Sequence, residues 1–147
     1  MLTGQLNSFY GNAATKTDNT LWTWGYNDNG HLGHNSLVNY SSPVQVPGTT
    51  WAVAATVQGA TIATKTDGTL WSWGNNENGM LGQNQSTSSN KSSPVQIPGT
   101  SWSRVMKGGG TGSCAAVRTD GTLWVWGLNS NGMLGQNKQG SEANARV

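Results

Sequence analysis

The sequence predicts an all-β fold built of β-propeller blades, each of about four antiparallel strands. Three observations predict it. A Trp- and Gly-rich unit occurs roughly three times, with a period of 49–53 residues. Within each unit, short strand-like runs are separated by Gly, Asn, Asp or Pro. No stretch of about ten residues or more carries helical periodicity together with good helix formers.

Composition agrees with this. Of 147 residues, 34% are hydrophobic and only 10% charged, yet eight are Trp, too many for a disordered chain. The polar residues are mostly Gly, Asn, Ser and Thr, which favour turns and strands. A net charge of +2 gives no field that would select nucleic acid or an anionic membrane. Cys114 is the single cysteine, so no intrachain disulfide forms. The first residues, Met1 to Leu6, have no basic or apolar run and do not read as a signal peptide. No apolar run of about 18 residues is present to span a membrane.

The first element of the unit is a hairpin. Thr17–Gly25 (TDNTLWTWG) recurs as Thr66–Gly74 (TDGTLWSWG) and Thr119–Gly127 (TDGTLWVWG). Ile62–Thr66 and Thr69–Trp73 flank Asp67-Gly68, the preferred dipeptide of a type I′ turn; the first copy has Asp18-Asn19 there. On the second strand, Trp71 and Trp73 share one face and Leu70 takes the other, so both faces need cover. The same holds for Trp22 with Trp24 and for Trp124 with Trp126. Gly25, Gly74 and Gly127 end this strand, where the backbone bends or crowds a neighbour. Next comes a turn-rich loop, Asn27–Gly33, Asn76–Gly82 or Asn129–Gly135. A proline-flanked edge strand follows in Ser42–Thr49 and Ser93–Thr100, and Trp51 or Trp102 opens one more strand. That is four strands in about 50 residues, the size of a propeller blade. The repeats span about 1–50, 51–101 and 102–147, the third without its proline-flanked strand. Length varies in Ser36–Tyr40 against Gln85–Lys91 and at Gly108–Gly112.

The order T-D-G-T-L-W-x-W-G, N-x-N-G-x-L-G-Q-N, S-P-V-x-V-P resembles the regulator of chromosome condensation repeat, over about residues 9–137. The resemblance implies a bladed β-propeller, commonly seven-bladed. It also implies action through protein surfaces: as an exchange factor for a small GTPase, an inhibitor of secreted enzymes, a scaffold, or part of a bacterial or viral surface protein. A seven-bladed ring needs roughly 350 residues at one blade per 50. The chain begins out of phase, with Leu2 in the place of Trp51, and Lys138–Val147 precedes any third S-P-V-x-V-P block. The expectation is therefore a homo-oligomer, two chains giving six blades, or a fragment of a longer propeller.

No residues form a catalytic constellation. His31 and His34 have equivalents in Met80/Gln83 and Met133/Gln136, and are read as surface or loop histidines rather than metal ligands. Asp18, Asp67 and Asp120 are turn residues; Asp28, Glu77 and Glu142 complete the acids without an acid–base pair. The Asn-x-Asn-Gly loops have too few carboxylates for calcium. Lys107–Ser113 lacks the Gly-Lys-Ser/Thr order of a phosphate loop. Cys114 aligns with Thr61 and Asn12 and is read as a small strand residue. A plant ultraviolet-B receptor shares the fold, but its Gly-Trp-Arg-His-Thr signature is absent. Arg and His do not accompany the Trp residues as in that signature, and the Trp residues are read as core. Lys16, Lys65 and Arg118 recur before each Thr-Asp turn, a possible binding face for an acidic protein or glycan. No cofactor or metal is expected.

Two function classes stand ahead of an enzyme, for which no nucleophile–base pair or cofactor motif is present. The first is a non-catalytic structural, protein-binding module in an extracellular or virion assembly, motivated by the low-charge Asn/Ser/Thr/Gly surface. The alternative is a cytosolic regulatory binder such as a small-GTPase exchange factor or scaffold. The expected partner is protein, another copy of the chain or another subunit, with no nucleic acid and no membrane insertion.

Overall fold

A computed structural model of the chain describes residues 3–5, 11–85, 89–107 and 112–136, with backbone alone for 3–5 and Lys107. Leu2, much of the glycine stretch after Lys107, part of the Gln85–Lys91 loop, Glu142 and the Lys138–Val147 segment lie outside the described residues.

The described residues form three antiparallel meanders. The first sheet runs β1 (Thr3–Gln5), β2 (Asn12–Thr15), β3 (Leu21–Gly25), β4 (Tyr40–Val46). The second repeats it with β5 (Trp51–Val57), β6 (Ala60–Lys65), β7 (Leu70–Gly74), β8 (Lys91–Ile97). The third has three strands among the described residues: β9 (Trp102–Lys107), β10 (Ser113–Arg118), β11 (Leu123–Gly127). These are propeller blades, and the described residues do not close a ring. The proline-bearing strands β4 and β8 pair on one side only and are edge strands. Pro43 and Pro94 therefore remove no ladder bond from a strand interior.

The hairpin joining β6 to β7 differs from the type I′ expectation. Gly68 has φ +80°, but Asp67 does not enter the positive-φ region. The Gly68 N–H donates to the Lys65 carbonyl (3.0 Å), and the Lys65 N–H to the Thr69 carbonyl (2.9 Å). This is a three-residue loop, a type I turn closed by a left-handed glycine. Asp67 stays in ordinary backbone space because its carboxylate caps the turn instead: Oδ1 accepts from the Thr69 backbone N–H (3.0 Å).

Alternation along each strand decides how the sheets stack. Leu70, Ile62 and Ile97 of the second sheet pack with Trp102, Ala116 and Trp126 of the third. On its other face, Trp51, Ala63 and Trp73 pack with Ala13, Leu21 and Val46 of the first. A seam thus pairs the Leu face of one sheet with the Trp face of the next. Trp51, Trp73, Trp102 and Trp126 are fully buried in the seams. Each removes on the order of 150–250 Å² from water, a gross stabilisation of about 4–6 kcal/mol.

Each seam is also fastened by backbone groups. The Trp73 indole N–H (2.9 Å) and the Thr61 hydroxyl (2.8 Å) both donate to the carbonyl of His31. One repeat later, the Trp126 indole N–H donates to the carbonyl of Met80 (2.8 Å), and Cys114 Sγ lies 3.5 Å from the same oxygen. Gly74 sits at this joint with φ +97°, where a Cβ would strike the Gly59 carbonyl and the His31 side chain.

Candidate functional site

Part of the repeated signature, the basic residue, Asp, Thr and first Trp of each unit, lies on one rim of the stacked sheets at the hairpin tips, whereas Gly25, Gly74 and Gly127 end the same strands away from it. At this rim the chain is tied from sheet to sheet. The Trp51 N–H donates to the Asn19 carbonyl (2.9 Å), and the Trp102 N–H to the Gly68 carbonyl (2.9 Å). The following tip returns a bond, Thr66 N–H to the Thr50 carbonyl (2.8 Å) and Thr119 N–H to the Ser101 carbonyl (2.7 Å).

Each tip carries the same side-chain relay. The Trp71 indole N–H donates to Thr69 Oγ1 (2.8 Å), whose hydroxyl donates to Asp67 Oδ1 (2.7 Å). Trp22, Thr20 and Asp18 repeat it at 2.9 and 2.6 Å. Trp124, Thr122 and Asp120 repeat it at 3.2 and 2.7 Å. A carboxylate that accepts two hydrogen bonds is stabilised in its charged form. Thr20's hydroxyl and backbone N–H, with Lys16 beside it, hold Asp18 down at about 2. Thr69 and Thr122 likewise lower Asp67 and Asp120.

The basic residue before each turn lies over the indoles. Lys65 Nζ is 4.7 Å from the Trp51 ring centroid and 4.3 Å from that of Trp71. The Arg118 guanidinium is 4.5 Å from Trp102 and 4.4 Å from Trp124. Lys16 Nζ is 5.6 Å from Trp22 and pairs with Asp18 at 3.2 Å. Arg118 precedes Trp124 by six positions, yet antiparallel pairing of β10 with β11 and β9 brings both indoles to it. Lys16, Lys65 and Arg118 share one rim, each inside a Trp–Thr–Asp cluster.

His31 is not a surface residue. It is 0% exposed in the first seam, and among the described residues neither ring nitrogen makes a hydrogen bond of good geometry. Burial pushes its pKa below the usual histidine value, against the opposing pull of Asp28 and the Tyr26 backbone. The chain spacing missed this because His31 holds the place of Met80, a core position whose carbonyl fastens the next sheet. His34 turns the other way. Its Nε2 lies 2.8 Å from Thr23 Oγ1, whose own hydroxyl donates to the Leu32 carbonyl (2.7 Å), so Nε2–H is the donor. Gln83 does the same to Ser72 Oγ in the second repeat (3.2 Å). The two histidines thus face separate partners.

The first Asn of each Asn-x-Asn-Gly loop is buried and turned inward. Oδ1 of Asn27, Asn76 and Asn129 accepts from the N–H of Leu32, Leu81 and Leu134 at 2.9, 3.1 and 3.2 Å. These oxygens close the loop and are not aimed at a cation. Among the described residues no three His, Cys, Asp or Glu side chains gather as metal ligands. Cys114 is buried in β10, and loss of solvent pushes its thiol up to about 12. Among the described residues no helix is long and apolar enough to cross a membrane.

The protein-family model for the regulator of chromosome condensation (RCC1) repeat matches residues 18–57 and 67–116, more than half of the chain. No sequence among the curated proteins matches. Among solved structures, human WBSCR16 superposes with a TM-score of 0.73 at 18% identity, over 95% of this chain and 37% of that one. Yeast RCC1 (Prp20) bound to Kap60 gives 0.68 at 21% identity, over 88% and 32%. Prp20p from Saccharomyces cerevisiae, described with its binding to Gsp1p and histones, gives 0.70 at 22%, over 88% and 33%. The chain spans about a third of the length of these structures. At such identities the likeness establishes the propeller fold.

Proposed function

As the chain belongs to the regulator of chromosome condensation repeat family, we propose that it is a non-catalytic, protein-binding propeller segment. Its partners are regulatory, in the manner of an exchange factor or scaffold. The supporting observation is the hairpin rim. Three tips of one design are held rigid by the Trp–Thr–Asp relay and tied to one another through the backbone. Such a surface loses little conformational entropy when a partner docks. Lys16, Lys65 and Arg118 are its proposed contact row. The similar structures favour a regulatory binder over an extracellular or virion assembly: yeast RCC1 is seen with Kap60, and Prp20p is described with Gsp1p and histones.

The test is nucleotide release from a panel of small GTPases loaded with a fluorescent GDP, with and without the 147-residue chain. The expected result is direct binding, with faster release if the role is exchange. No binding to any GTPase, together with isolation of the chain inside an extracellular or virion particle, would remove the regulatory reading.

A further inference from the structure

A cleft of about 290 Å³ lies between the first and second sheets, at the strand ends away from the hairpin tips. Asp28, Asn29 and Leu37 of the β3–β4 connection line one side, and Asn90 and Ser92 at the start of β8 line the other. Its size is at the small end of ligand pockets, which run from roughly 300 to 1,000 Å³. The two walls are stitched together. The Asn35 N–H donates to the Ser92 carbonyl (2.8 Å), and Asn90 Nδ2 donates to Asn29 Oδ1 (3.1 Å). Asn27 Nδ2 donates to the Ser36 and Val38 carbonyls (2.8 and 3.0 Å), which holds the segment that carries Leu37. Gly30, with φ +77°, lets the walls approach, since a Cβ there would stand 2.6 Å from Ser92 Cα. The cleft is therefore formed before any ligand arrives.

The lining suits groups that both donate and accept. An ionised carboxylate offers about four acceptor sites, a carboxamide nitrogen two donors, and a hydroxyl both kinds. Asp28 accepts from Asn29 Nδ2 (3.2 Å) and has the Tyr26 hydroxyl beside it, which leaves acceptor capacity. Among the described residues Asn90 Nδ2 uses one N–H, toward Asn29. Ser92 Oγ donates to Asn35 Oδ1 (3.3 Å), and its lone pairs face a donor. Asp28 carries the only charge among the lining residues, so an anion is repelled. Beside these polar groups stand apolar ones that the fold does not use. Tyr26 is 48% and Leu37 62% exposed. The second repeat has Asn75 in the place of Tyr26 and Ser88 in that of Leu37, counting back from Asn39 and Asn90. Asn39 and Asn90 are equivalent because their Oδ1 atoms accept from the N–H of Asn27 and Asn76 (2.8 and 2.9 Å). A blade therefore forms without apolar side chains at these two places.

We propose that this cleft binds a neutral saccharide, one pyranose ring seated between the first two blades. Sugar hydroxyls donate to the Asp28 carboxylate and the Ser92 hydroxyl, and a sugar oxygen accepts from Asn90 Nδ2. The apolar C–H face of the ring lies on Leu37, with Tyr26 at the Asp28 side. The single carboxylate and the absence of a cation among the lining residues disfavour phosphorylated and acidic ligands. The cleft lies at the opposite strand ends from Lys16, Lys65 and Arg118, so the proposal is independent of the regulatory reading.

The experiment is an NMR titration of the 147-residue chain with the methyl glycosides of glucose, galactose, mannose and N-acetylglucosamine, and with arginine methyl ester as a cationic probe. At least one glycoside is expected to bind with a Kd on the order of 1 mM, shifting the side-chain amides of Asn29 and Asn90. Asp28→Ser, which installs the residue found at Ser130 in the third repeat, removes a charged acceptor and weakens binding at least tenfold. Leu37→Ser weakens it about fourfold or more, the worth of one buried methylene. Both positions are exposed, so the near-ultraviolet dichroism of each variant matches the parent. Lys65→Met, on the hairpin rim, leaves sugar binding unchanged. Absence of shifts with every glycoside overturns the proposal, as does binding indifferent to both Asp28→Ser and Leu37→Ser. Binding of arginine methyl ester with none of the sugars assigns the cleft to a basic peptide side chain and overturns it as well.

Discussion

Replacing His31 by Met is expected to stabilise the chain and to flatten its pH response. His31 is fully buried, and among the described residues its ring nitrogens have no well-formed hydrogen bond. Leaving such groups without partners costs about 1–3 kcal/mol. Met80 shows that a methionine fits the equivalent place, where it is also fully buried. His31→Met should therefore raise stability near pH 7 by about 1–3 kcal/mol, or Tm by roughly 2–10 °C for a chain of this size. A solvated imidazole titrates near 6.5, and burial holds His31 below that value in the fold. Between the two values the unfolded chain binds a proton that the folded chain does not, so stability rises with pH there. It is complete above about 6.5, falls as pH drops, and levels off below the folded value. One proton limits the slope to about 1.4 kcal/mol per pH unit. His34, lowered by burial as well, contributes in the same direction and remains in the variant. Urea unfolding of both chains from pH 7.5 to pH 5 measures the difference. An unchanged slope, or a less stable variant at pH 7, would refute the assignment of His31 as a seam residue without a well-formed hydrogen bond.

Three further outcomes are expected. Lys65→Met removes the cation between Trp51 and Trp71 and should cost about 0.5–2 kcal/mol in urea unfolding, with a change in tryptophan emission. Gly74→Ala places a Cβ against the Gly59 carbonyl at φ +97° and should lower stability by about 3 kcal/mol or more in a thermal melt. Cys114, with its thiol pushed up to about 12, should resist a disulfide reagent in the folded chain. It should react at the rate of global unfolding, and fast labelling of native protein would contradict its burial.

Much of the fold was legible because the period placed equivalent residues side by side. Leu70 opposite Trp71 and Trp73 required two covered faces, and the sheets supply them. The turn type was misread because Asp-Gly suits a two-residue loop, whereas Asp67 uses its side chain to cap a three-residue one. His31 looked like a loop histidine because its role lies in its backbone carbonyl, which any residue type provides. The place of Arg118 over Trp102 and Trp124 is not legible in chain order, because the contact joins three strands, β9, β10 and β11. Repeats reveal which positions are equivalent; they do not reveal which neighbouring strand completes a contact.

The hairpin rim is charged in composition and almost neutral in effect. Lys16, Lys65 and Arg118 each lie near the Asp two positions later, and each Asp is held ionised by its Thr. Three cations and three carboxylates therefore alternate over a short distance, and their fields cancel beyond about a Debye length. A partner docking here is recognised by tip shape and hydrogen bonds, not by long-range attraction. Its association rate should fall little between low salt and about 0.5 M, unlike that of an electrostatically steered complex. Stopped-flow mixing with a bound protein partner over that range measures this. A drop of tenfold or more would mean that the basic row acts as a free positive surface, and that the Asp partners do not mask it.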